Sequence, residues 1–449
     1  MNPFDTPRRA AVGPVPEPVD LPSVDEQPRR RAADGWLDQW SAAVADLSRL
    51  KGSHPMLDAV IDEQIGRRIR VGERWLTDWA SCNYLGFDLD EEIIASVPEY
   101  LAAWGTHPSW SRLLGSPRLY PEIEEQVTEL VGSENALLLP TITHIHMSVI
   151  PVLVGDGTIF LDRRAHKTIY DGAMVAAGHG ATVHRFKHED LDELEGLLRA
   201  SPPGAPRVIA MDGLNSMTGN SPDLRAFSRV AHEHDALLYV DDAHGFGVLG
   251  ERSENERSPY GNLGNSLFRH QDVPYDNAIL VAGFSKAYSS LLAFIALPTA
   301  MKDALKVLAP PYLYSGPSPV ASLATTLAGL QVNRTRGDDL RAELYRMTQR
   351  VLDALDELDI ATPNTSGSPI IEIPLVDHEE IDPAGRFLFD RGVYTTMAAY
   401  PLVPKNEVGF RIQMTAANTD EEIDELVSAL RALKERFPLQ QAHTVARTA

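Results

Sequence analysis

The stretch Ala278–Ser290, AILVAGFSKAYSS, decides how this sequence folds and where its chemistry lies. Residues 278–282 form a short, continuous apolar run that is typical of a buried strand rather than of an amphipathic helix. The run ends in Gly-Phe-Ser at 283–285, and Lys286 follows. A lysine at the carboxyl end of a strand lies where open α/β sheets place their ligands. Partial desolvation there favours the neutral amine, which attacks carbonyl groups.

A second strand end, upstream, carries acidic residues. Residues 237–240 are apolar, and the chain then reads DDAHG at 241–245. Two adjacent carboxylates at a strand end are costly unless a positive group lies against them, and a protonated ring nitrogen of a cofactor is such a group. A carboxylate and a lysine amine are the pair that pyridoxal phosphate needs: the lysine holds the aldehyde, and the carboxylate keeps the pyridine protonated as an electron sink.

Alternation of strand-like and helical runs predicts the fold class. Repeated strand–helix units favour an α/β fold with a mainly parallel sheet that is covered on both faces. The predicted strands lie at 136–139, 158–161, 182–186, 207–211, 236–240 and 278–282, with 294–297 as a further one. Helical runs at 322–332, 339–358 and 419–436 and strand-like runs at 370–374, 393–396 and 410–414 predict a smaller C-terminal α+β domain.

Composition shifts along the chain predict its division. We expect a disordered Pro- and Arg-rich tail, an N-terminal segment, a large cofactor-binding domain, a small C-terminal domain and a frayed end. These parts span 1–34, 35–104, 105–330, 331–440 and 441–449. The long polar loop at 251–275 has no assigned role, although loops of this length are usually functional or mobile.

The composition and net charge of the chain argue against several classes of function. The 449 residues carry a net charge of −22, which repels phosphate backbones and argues against nucleic acid as a partner. The one cysteine, Cys82, permits no internal disulfide and fits a reducing compartment. No apolar run reaches the length of a membrane span, and the N-terminus lacks the apolar core of a signal peptide. We therefore expect a cytoplasmic protein without a membrane or metal site.

Several motifs together resemble the α-oxoamine synthases, which are fold-type I pyridoxal-phosphate enzymes. That family includes 8-amino-7-oxononanoate synthase, 2-amino-3-ketobutyrate-CoA ligase, 5-aminolevulinate synthase and serine palmitoyltransferase. The motifs are NYLG at 83–86, Ser111-Arg112 with Gly115, DRRAH at 162–166, DGLNSMTG at 212–219, DDAHG at 241–245, FSK at 284–286 and Tyr314-Ser315. The resemblance covers nearly the whole chain after about residue 45. It implies an aspartate-aminotransferase-like fold with a seven-stranded, mainly parallel sheet and a small C-terminal domain.

The resemblance also implies a role for each matching residue. Lys286 would hold the cofactor as a Schiff base, Asp241 would pair with the pyridine nitrogen, and His166 would stack over the ring. His244 and Ser216 would lie near the phenolic oxygen of the ring. Because the usual phosphate donors of the family are missing here, the candidate donors are Thr141 and Thr143 at a helix N-terminus, Ser285 and, from a partner chain, Ser315. Substrate contacts would come from Asn83, Tyr84 and Arg112. A homodimer with shared active sites is implied as well.

This sequence departs from the family pattern at four places. Tyr120 stands where a histidine is usual, Ile142-Thr143 replaces a Gly-aromatic pair, and Gly283 replaces a hydroxyl residue three positions before the lysine. Ala399 takes the place of an arginine whose fork grips the carboxylate of the amino acid. Arg411 is the nearest candidate to supply that grip, unless the substrate is not held by its carboxylate.

Three functions remain open at this point. The first is a decarboxylative Claisen-type condensation of an amino acid with an acyl thioester, which yields an α-amino ketone. The second is another reaction on the same fold: an aminotransferase, an aldol-type carbon–carbon lyase or transferase, or a decarboxylase. The absence of an arginine at position 399 favours this second function. The third is a non-catalytic sensing domain. The amino acid, the acyl donor and the carrier of that donor, coenzyme A or a carrier protein, cannot be read from the sequence.

Overall fold

A computed structural model of the chain describes residues 50–202 and 204–442. The predicted tail at 1–34, residues 35–49 of the predicted N-terminal segment and residues 443–449 of the predicted frayed end lie outside the described residues. The division of the chain into domains at the predicted boundaries stays a prediction.

A seven-stranded sheet forms the centre of the molecule, as predicted. Its strand order is β4-β10-β9-β8-β7-β5-β6, and every neighbouring pair is parallel except those that β10 makes with β9 and β4. The strands are β4 (Asn135–Leu139), β5 (Thr158–Asp162), β6 (Thr182–Phe186), β7 (Arg207–Asp212), β8 (Leu237–Asp241), β9 (Ala278–Gly283) and β10 (Ala293–Leu297).

Both faces of this sheet are buried, which is why its strands read as continuous apolar runs. In β9, Ile279 and Val281 belong to one hydrophobic cluster, whereas Leu280 and Ala282 belong to the other. Helices cover the two faces. Those in the first two thirds of the chain are α1 (Glu91–Trp104), α2 (Leu119–Val131), α3 (Ile142–Val154), α4 (Lys167–Gly178), α5 (Leu191–Ala200), α6 (Leu224–Glu233), α7 (Leu267–His270), α8 (Thr299–Leu308) and α9 (Pro310–Leu313).

Two small sheets flank the centre and join distant parts of the chain. Strands β1 (Glu63–Ile65), β2 (Arg68–Val71) and β3 (Arg74–Asp78) pair in order and are extended by β12 (Val393–Tyr394). The other sheet has the order β11-β14-β13 and consists of β11 (Ile370–Pro374), β13 (Thr396–Ala398) and β14 (Gly409–Gln413). The single strand predicted at 393–396 is therefore wrong: it is two short strands in two sheets. Local pattern cannot reveal this division, because both pieces are extended.

One helix, α10 (Val320–Glu357), replaces the two helices predicted at 322–332 and 339–358. The predicted boundary at 330 falls inside it. The polar residues between the two predicted helices look like a linker, but Asn333 and Gly337 are buried. The guanidinium of Arg341, which is fully buried, donates to Asn333 Oδ1 at 2.8 Å and to the carbonyl of Gly247 at 3.1 Å. These hydrogen bonds of the Arg341 guanidinium let the helix continue through a polar stretch.

The last two helices, α11 (Ile381–Asp390) and α12 (Asp420–Arg436), pack with the small C-terminal sheet. The polar loop at 251–275 is held by hydrogen bonds, including one from Tyr260 to the carbonyl of Gly367 at 2.8 Å. Within residues 50–202 and 204–442, no helix is both long and apolar enough to cross a membrane.

Candidate active site

A cavity of about 170 Å³ opens where β7, β8 and β9 end and α3 begins. Adjacent parallel strands deliver their ends to one edge of the sheet, so Asp241 and Lys286 reach the same cavity. Every residue predicted to bind the cofactor lines this cavity except Ser315. The lining residues are Thr141, Ile142, Thr143, His166, Thr168, Asp212, Leu214, Ser216, Asp241, Ala243, His244, Ser285 and Lys286.

Asp241 is the buried anion of the cavity. Its Oδ2 accepts a hydrogen bond from His146 Nε2 at 2.8 Å, and its Oδ1 accepts one from the amide of Ala243 at 3.0 Å. Burial acts to raise the pKa of this carboxyl, but the hydrogen bond and charge of His146, with the charges of Lys286 and His166, hold the pKa below its usual value. Asp241 is therefore a carboxylate at neutral pH and can face a cation.

His146 links Asp241 to Tyr239 and is a residue that the sequence did not single out. Its Nδ1 lies 2.8 Å from the hydroxyl of Tyr239, and the residue is fully buried. Because a carboxylate only accepts, the proton between His146 and Asp241 is carried by Nε2. The available signal in the sequence is a histidine on the buried side of α3, between Ile145 and Val149. Such a histidine cannot be told from one that is merely satisfied in the core.

Replacing His146 with leucine is expected to lower kcat by about 10- to 100-fold, because Asp241 loses its buried donor and the pKa of its carboxyl rises. His146→Gln keeps an N–H donor and should recover part of the loss. For both variants we would measure kcat and the pH at which the absorbance of the bound cofactor changes. If both variants lose activity equally while that titration stays in place, His146 has a packing role alone.

Asp242 does not share the environment of its neighbour, which corrects the expectation that both carboxylates face a positive group. It is fully buried and accepts hydrogen bonds from the amides of Leu267 at 2.7 Å and Leu214 at 3.2 Å. A Cβ at Gly245 would lie 2.1 Å from Asp242 Oδ1. Burial nevertheless raises the pKa of this carboxyl to about 7. Asp242 ties the loop at 251–275 to the strand end that carries Asp241.

His166 lies at the open side of the cavity as the N-cap of α4. Its amide donates to Asp212 Oδ1 at 2.9 Å, and its Nδ1 lies 2.7 Å from Thr168 Oγ1. Partial removal from water, more than offsetting the charge of Asp241, lowers the pKa of the His166 imidazole. Burial and the charge of Asp241 raise the pKa of Asp212 well above its usual range. The ring of His166 is thus neutral at neutral pH, and the hydrogen bond from its amide to Asp212 fixes its backbone.

His244 is held from behind by two buried residues of other segments. Its Nδ1 lies 2.7 Å from the hydroxyl of Tyr84, which donates to Gln413 Oε1 at 2.8 Å. Burial, with the charges of Lys286 and Arg411, lowers the pKa of His244 well below its usual value. Tyr84 does not line the cavity, so the structure places this predicted substrate residue against His244 instead.

Phosphate donors gather at the start of α3. Thr141 is the N-cap, and its Oγ1 accepts from the amide of His144 at 3.3 Å. The first-turn amides of Ile142 and Thr143 have no partner inside the helix, and both residues line the cavity with Ser285. A helix N-terminus with free amides and hydroxyls attracts anions. The donor set of the cavity therefore fits pyridoxal phosphate: an ionised carboxylate, an amine and an anion site.

Two of the departures from the family pattern, Ile142 and Gly283, lie in contact with each other. A Cβ placed on Gly283 would lie 2.9 Å from Ile142 Cδ1 and 3.3 Å from the carbonyl of Leu292. The side chain of Ile142 thus fills the space next to position 283 that a hydroxyl residue would need. The isoleucine in place of a glycine and the glycine in place of a hydroxyl are complementary, and the sequence alone lists them 141 positions apart without connecting them.

Arg411 lies next to the cavity but already has a partner. Its Nη1 donates to the carbonyl of Ser216 at 2.8 Å, while its Nε is buried and has no partner among the described residues. Directly across the β11–β14 ladder is Glu372, which is 2% exposed and whose Oε1 also lacks a partner within the described chain. Ala399 is buried. Arg411 thus lies beside Ser216, which lines the cavity, and its grip on a substrate carboxylate stays a prediction.

Glu372 gives the protein a pH-dependent stability. Burial, with the nearby charge of Glu407, raises the pKa of this carboxyl from 4.5 to about 8. The folded protein then binds the proton more tightly than the unfolded chain does, so this residue destabilises the fold as pH rises through that window. We expect Glu372→Gln to be more stable than the wild type by roughly 2–4 kcal/mol at about pH 9, and nearly equal at about pH 5. Urea unfolding at both pH values measures the free energy of unfolding of the two proteins. The same difference between wild type and Glu372→Gln at both pH values would contradict the prediction, and so would an equal gain in the exposed control Glu379→Gln.

The remaining predicted site residues lie away from the cavity. Arg112 is buried, pairs with Glu124 at 3.0 Å, donates to the carbonyl of Leu138 at 2.6 Å and lies over the ring of Tyr120. Its guanidinium is therefore used inside the fold, because it stabilises the buried carboxylate of Glu124. Asn83 accepts from Ser289 at 3.2 Å, and Ser315 is half-buried beside the exposed Tyr314. Substrate contacts by Asn83 and Arg112 stay predictions.

Comparison with known proteins identifies the family. The family described as aminotransferase class I and II matches residues 76–430. An 8-amino-7-oxononanoate synthase of Chromohalobacter salexigens is 32% identical over 355 residues, which are 79% of this chain and 88% of that protein. A serine palmitoyltransferase of Caulobacter vibrioides is 32% identical over 346 residues, which are 76% and 81% of the two chains. A solved Sphingomonas wittichii serine palmitoyltransferase superposes with a TM-score of 0.80 at 24% identity and covers 90% of this chain and 97% of its own.

The chain therefore belongs to the class I and II aminotransferase family and has its fold-type I architecture. Within that family it is an α-oxoamine synthase-type transferase, and its cofactor is pyridoxal phosphate. The fold class and the cofactor predicted from the sequence are thereby confirmed.

Proposed function

We propose that the protein condenses an α-amino acid with an acyl thioester, with loss of carbon dioxide, to give an α-amino ketone. The observation that carries this proposal is the meeting of an ionised Asp241 and the amine of Lys286 in one cavity. Relatives that are named 8-amino-7-oxononanoate synthase and serine palmitoyltransferase support this reaction over an aminotransferase, an aldol-type lyase or a decarboxylase. They also support an enzyme over a non-catalytic sensing domain.

The cofactor would be held by residues from four strand ends and one helix. Asp241 would bind the ring nitrogen, Lys286 the aldehyde, and the α3 N-terminus with Thr141, Thr143 and Ser285 the phosphate. His166 would cover one face of the ring, and His244 and Ser216 would lie at its oxygen. When bound, pyridoxal phosphate supplies an electron sink that lets the α-carbon of an amino acid lose a proton.

Lys286 would also be the base that removes this proton. It lies three residues after the end of β9, is half-buried, and lines the same cavity as Asp241. A lysine that is partly shielded from water can act as a general base when its amine is neutral. His244 is neutral at neutral pH because burial lowers its pKa, so it would contribute a hydrogen bond rather than a charge. Tyr84 and Gln413 hold its Nδ1 in place, which leaves Nε2 for that bond.

The amino-acid carboxylate would be gripped by Arg411 in place of the arginine that is missing at 399. Arg411 Nη1 now holds the carbonyl of Ser216, so the guanidinium already lies at the cavity edge. A substrate carboxylate there would offer two acceptors to one fork, which is the geometry that arginine binds best. Ala399 is buried and carries no charge to offer a substrate.

A homodimer would complete the site. Tyr314 is 83% exposed and Ser315 next to it is half-buried, although both belong to a motif that the resemblance places in the active site of a neighbour. Val307 and Leu308, which come just before this segment in sequence, are also exposed. So are Trp110, Leu113 and Leu114, which follow His107, and His107 Nε2 lies 2.8 Å from the carbonyl of Pro317. Such a set is typical of a surface that a second subunit covers. A cytoplasmic location stays a prediction.

A thioester-consumption assay tests the proposal. Holoprotein is mixed with each amino acid and an acyl-CoA, and thiol release is recorded with a thiol reagent. We expect thiol release that depends on both substrates and is absent from Lys286→Ala. Formation of a keto acid or an aldehyde without thioester consumption would replace the condensation with one of the other reactions.

A further inference from the structure

A separate cavity, of about 490 Å³, shares no lining residue with the cofactor cavity. It lies between β11 and the loop at 218–220 that follows β7, and residues 406–407 form part of its wall. Its charged and titratable lining residues are Arg164, His188, Glu189, Glu372 and Glu407. None of these five has a role in the proposed condensation, so the cavity is a distinct place in the fold.

Four of these five residues already have partners inside the protein. Glu407 pairs with both terminal nitrogens of Arg164. His188 lies between two carboxylates: its Nδ1 is 3.1 Å from Asp162 Oδ1, and its Nε2 is 3.3 Å from Glu189 Oε1. These contacts satisfy the polar ends of the four side chains without any ligand.

Glu372 is the exception. It is 2% exposed, its Oε1 is buried without a partner, and no hydrogen bond or ion pair within residues 50–202 and 204–442 involves its carboxyl group. Arg411 is its neighbour across the β11–β14 ladder, but the Nη1 of that arginine donates to the carbonyl of Ser216. A buried polar group without a partner is rare in a folded protein and often marks a site that a ligand completes.

The electrostatic environment of Glu372 shows which charge is missing. Burial, with the charge of Glu407, raises the pKa of this carboxyl to about 8, and the opposite effects of Arg164 and Arg411 are outweighed. The carboxyl therefore carries a proton at neutral pH. A cation that entered the cavity would stabilise the ionised form and so take the place of that proton.

We propose that this cavity binds a small organic cation through the carboxylate of Glu372, which would face an ammonium or guanidinium group. A cavity of this volume suits a small molecule, and Ala361, Pro363 and Pro374 would contact its carbon atoms. A divalent metal ion fits less well, because it needs several anionic ligands at once. Within the described part of the chain, no group of three His, Cys, Asp or Glu side chains could hold one.

A pair of probe molecules of the same shape tests the proposal. The cationic probe is n-butylguanidinium, which stays charged over the whole pH range used and has no nucleophilic amine to react with pyridoxal phosphate. The neutral probe is n-butylurea. Each is titrated into holoenzyme in a calorimeter at about pH 7 and about pH 9, and the first titration is repeated in a buffer of different ionisation enthalpy to count released protons.

We expect n-butylguanidinium to bind the wild type and to release about one proton per ligand at about pH 7. Binding should be about tenfold tighter at about pH 9, because the ionised fraction of Glu372 rises from roughly one-tenth to roughly nine-tenths. Glu372→Gln should weaken binding at about pH 9 by more than about tenfold and abolish the proton release. This variant is expected to fold, because its amide is uncharged like the protonated acid.

Glu379→Gln is the matched control, because it removes the same charge from an exposed residue outside the cavity. It should bind n-butylguanidinium as the wild type does. Absence of binding to the wild type, equal binding of n-butylurea, unchanged binding by Glu372→Gln, or an equal loss in Glu379→Gln would each overturn the proposal. None of these measurements uses a thioester, so failure of the condensation leaves this test unaffected.

Discussion

Replacing Lys286 with alanine is expected to lower turnover by about 10³- to 10⁴-fold, because the cavity loses both the amine that holds the cofactor and the base that moves the α-proton. The side chain is half-buried and follows the last strand residue, Gly283, so alanine removes little core packing. Thiol release from an acyl thioester measures the activity, and circular dichroism shows that the variant is folded.

Borohydride reduction supplies an independent check on the position of the lysine. Reduction of the wild-type holoenzyme should fix the cofactor on the peptide that contains Lys286, and the alanine variant should give no label there. Lys51→Ala is the control, because Lys51 has a side chain that is 60% exposed and pairs with Asp58 far from the cavity in sequence. A label on a different lysine would remove the basis of the proposed reaction.

Asp241→Asn is the second large effect, and we expect about a 10²- to 10³-fold loss of kcat. An amide cannot hold a positive ring nitrogen as a carboxylate does, so the electron sink weakens although shape and volume are kept. His146 Nε2 would still have an oxygen to donate to. Steady-state kcat and the pH dependence of the absorbance of the bound cofactor report the change.

The neighbouring residue gives this experiment its matched control. Asp242→Asn changes an equally buried carboxylate that accepts from the amides of Leu214 and Leu267 instead of facing the cavity. We expect it to lower the melting temperature because an amide accepts fewer of these bonds, while kcat per folded molecule changes only a fewfold. Equal losses of kcat in the two variants would argue against a special role for Asp241.

Strand ends were the part of the site that could be predicted from the sequence. The apolar runs before Asp241 and Lys286 are continuous because both faces of the central sheet are buried. Once the strands are parallel neighbours, their ends must lie together. That reasoning predicts that Lys286 and Asp241 meet, and the family resemblance adds His166 and His244; all four residues line one cavity.

Residues that act through other residues could not be predicted in this way. His146 bonds to Asp241 across 95 positions, and Tyr84 bonds to His244 across 160. Arg112, which the resemblance placed at the substrate, is used by Glu124 inside the fold. A motif records which residue types are present, but it does not record which buried partner will satisfy each polar group.

The sequence by itself determined the parallel core, the edge where the chemistry lies, and the lysine and carboxylate that meet there, because apolar runs and their polar ends are local properties of the chain. The tertiary structure alone decided that Asp242 is held by the amides of Leu214 and Leu267, that Ile142 fills the space beside Gly283, and that the α10 helix runs unbroken through polar residues. These outcomes depend on packing between segments that are far apart in sequence, where burial forces every polar group to find a partner and every side chain to find space.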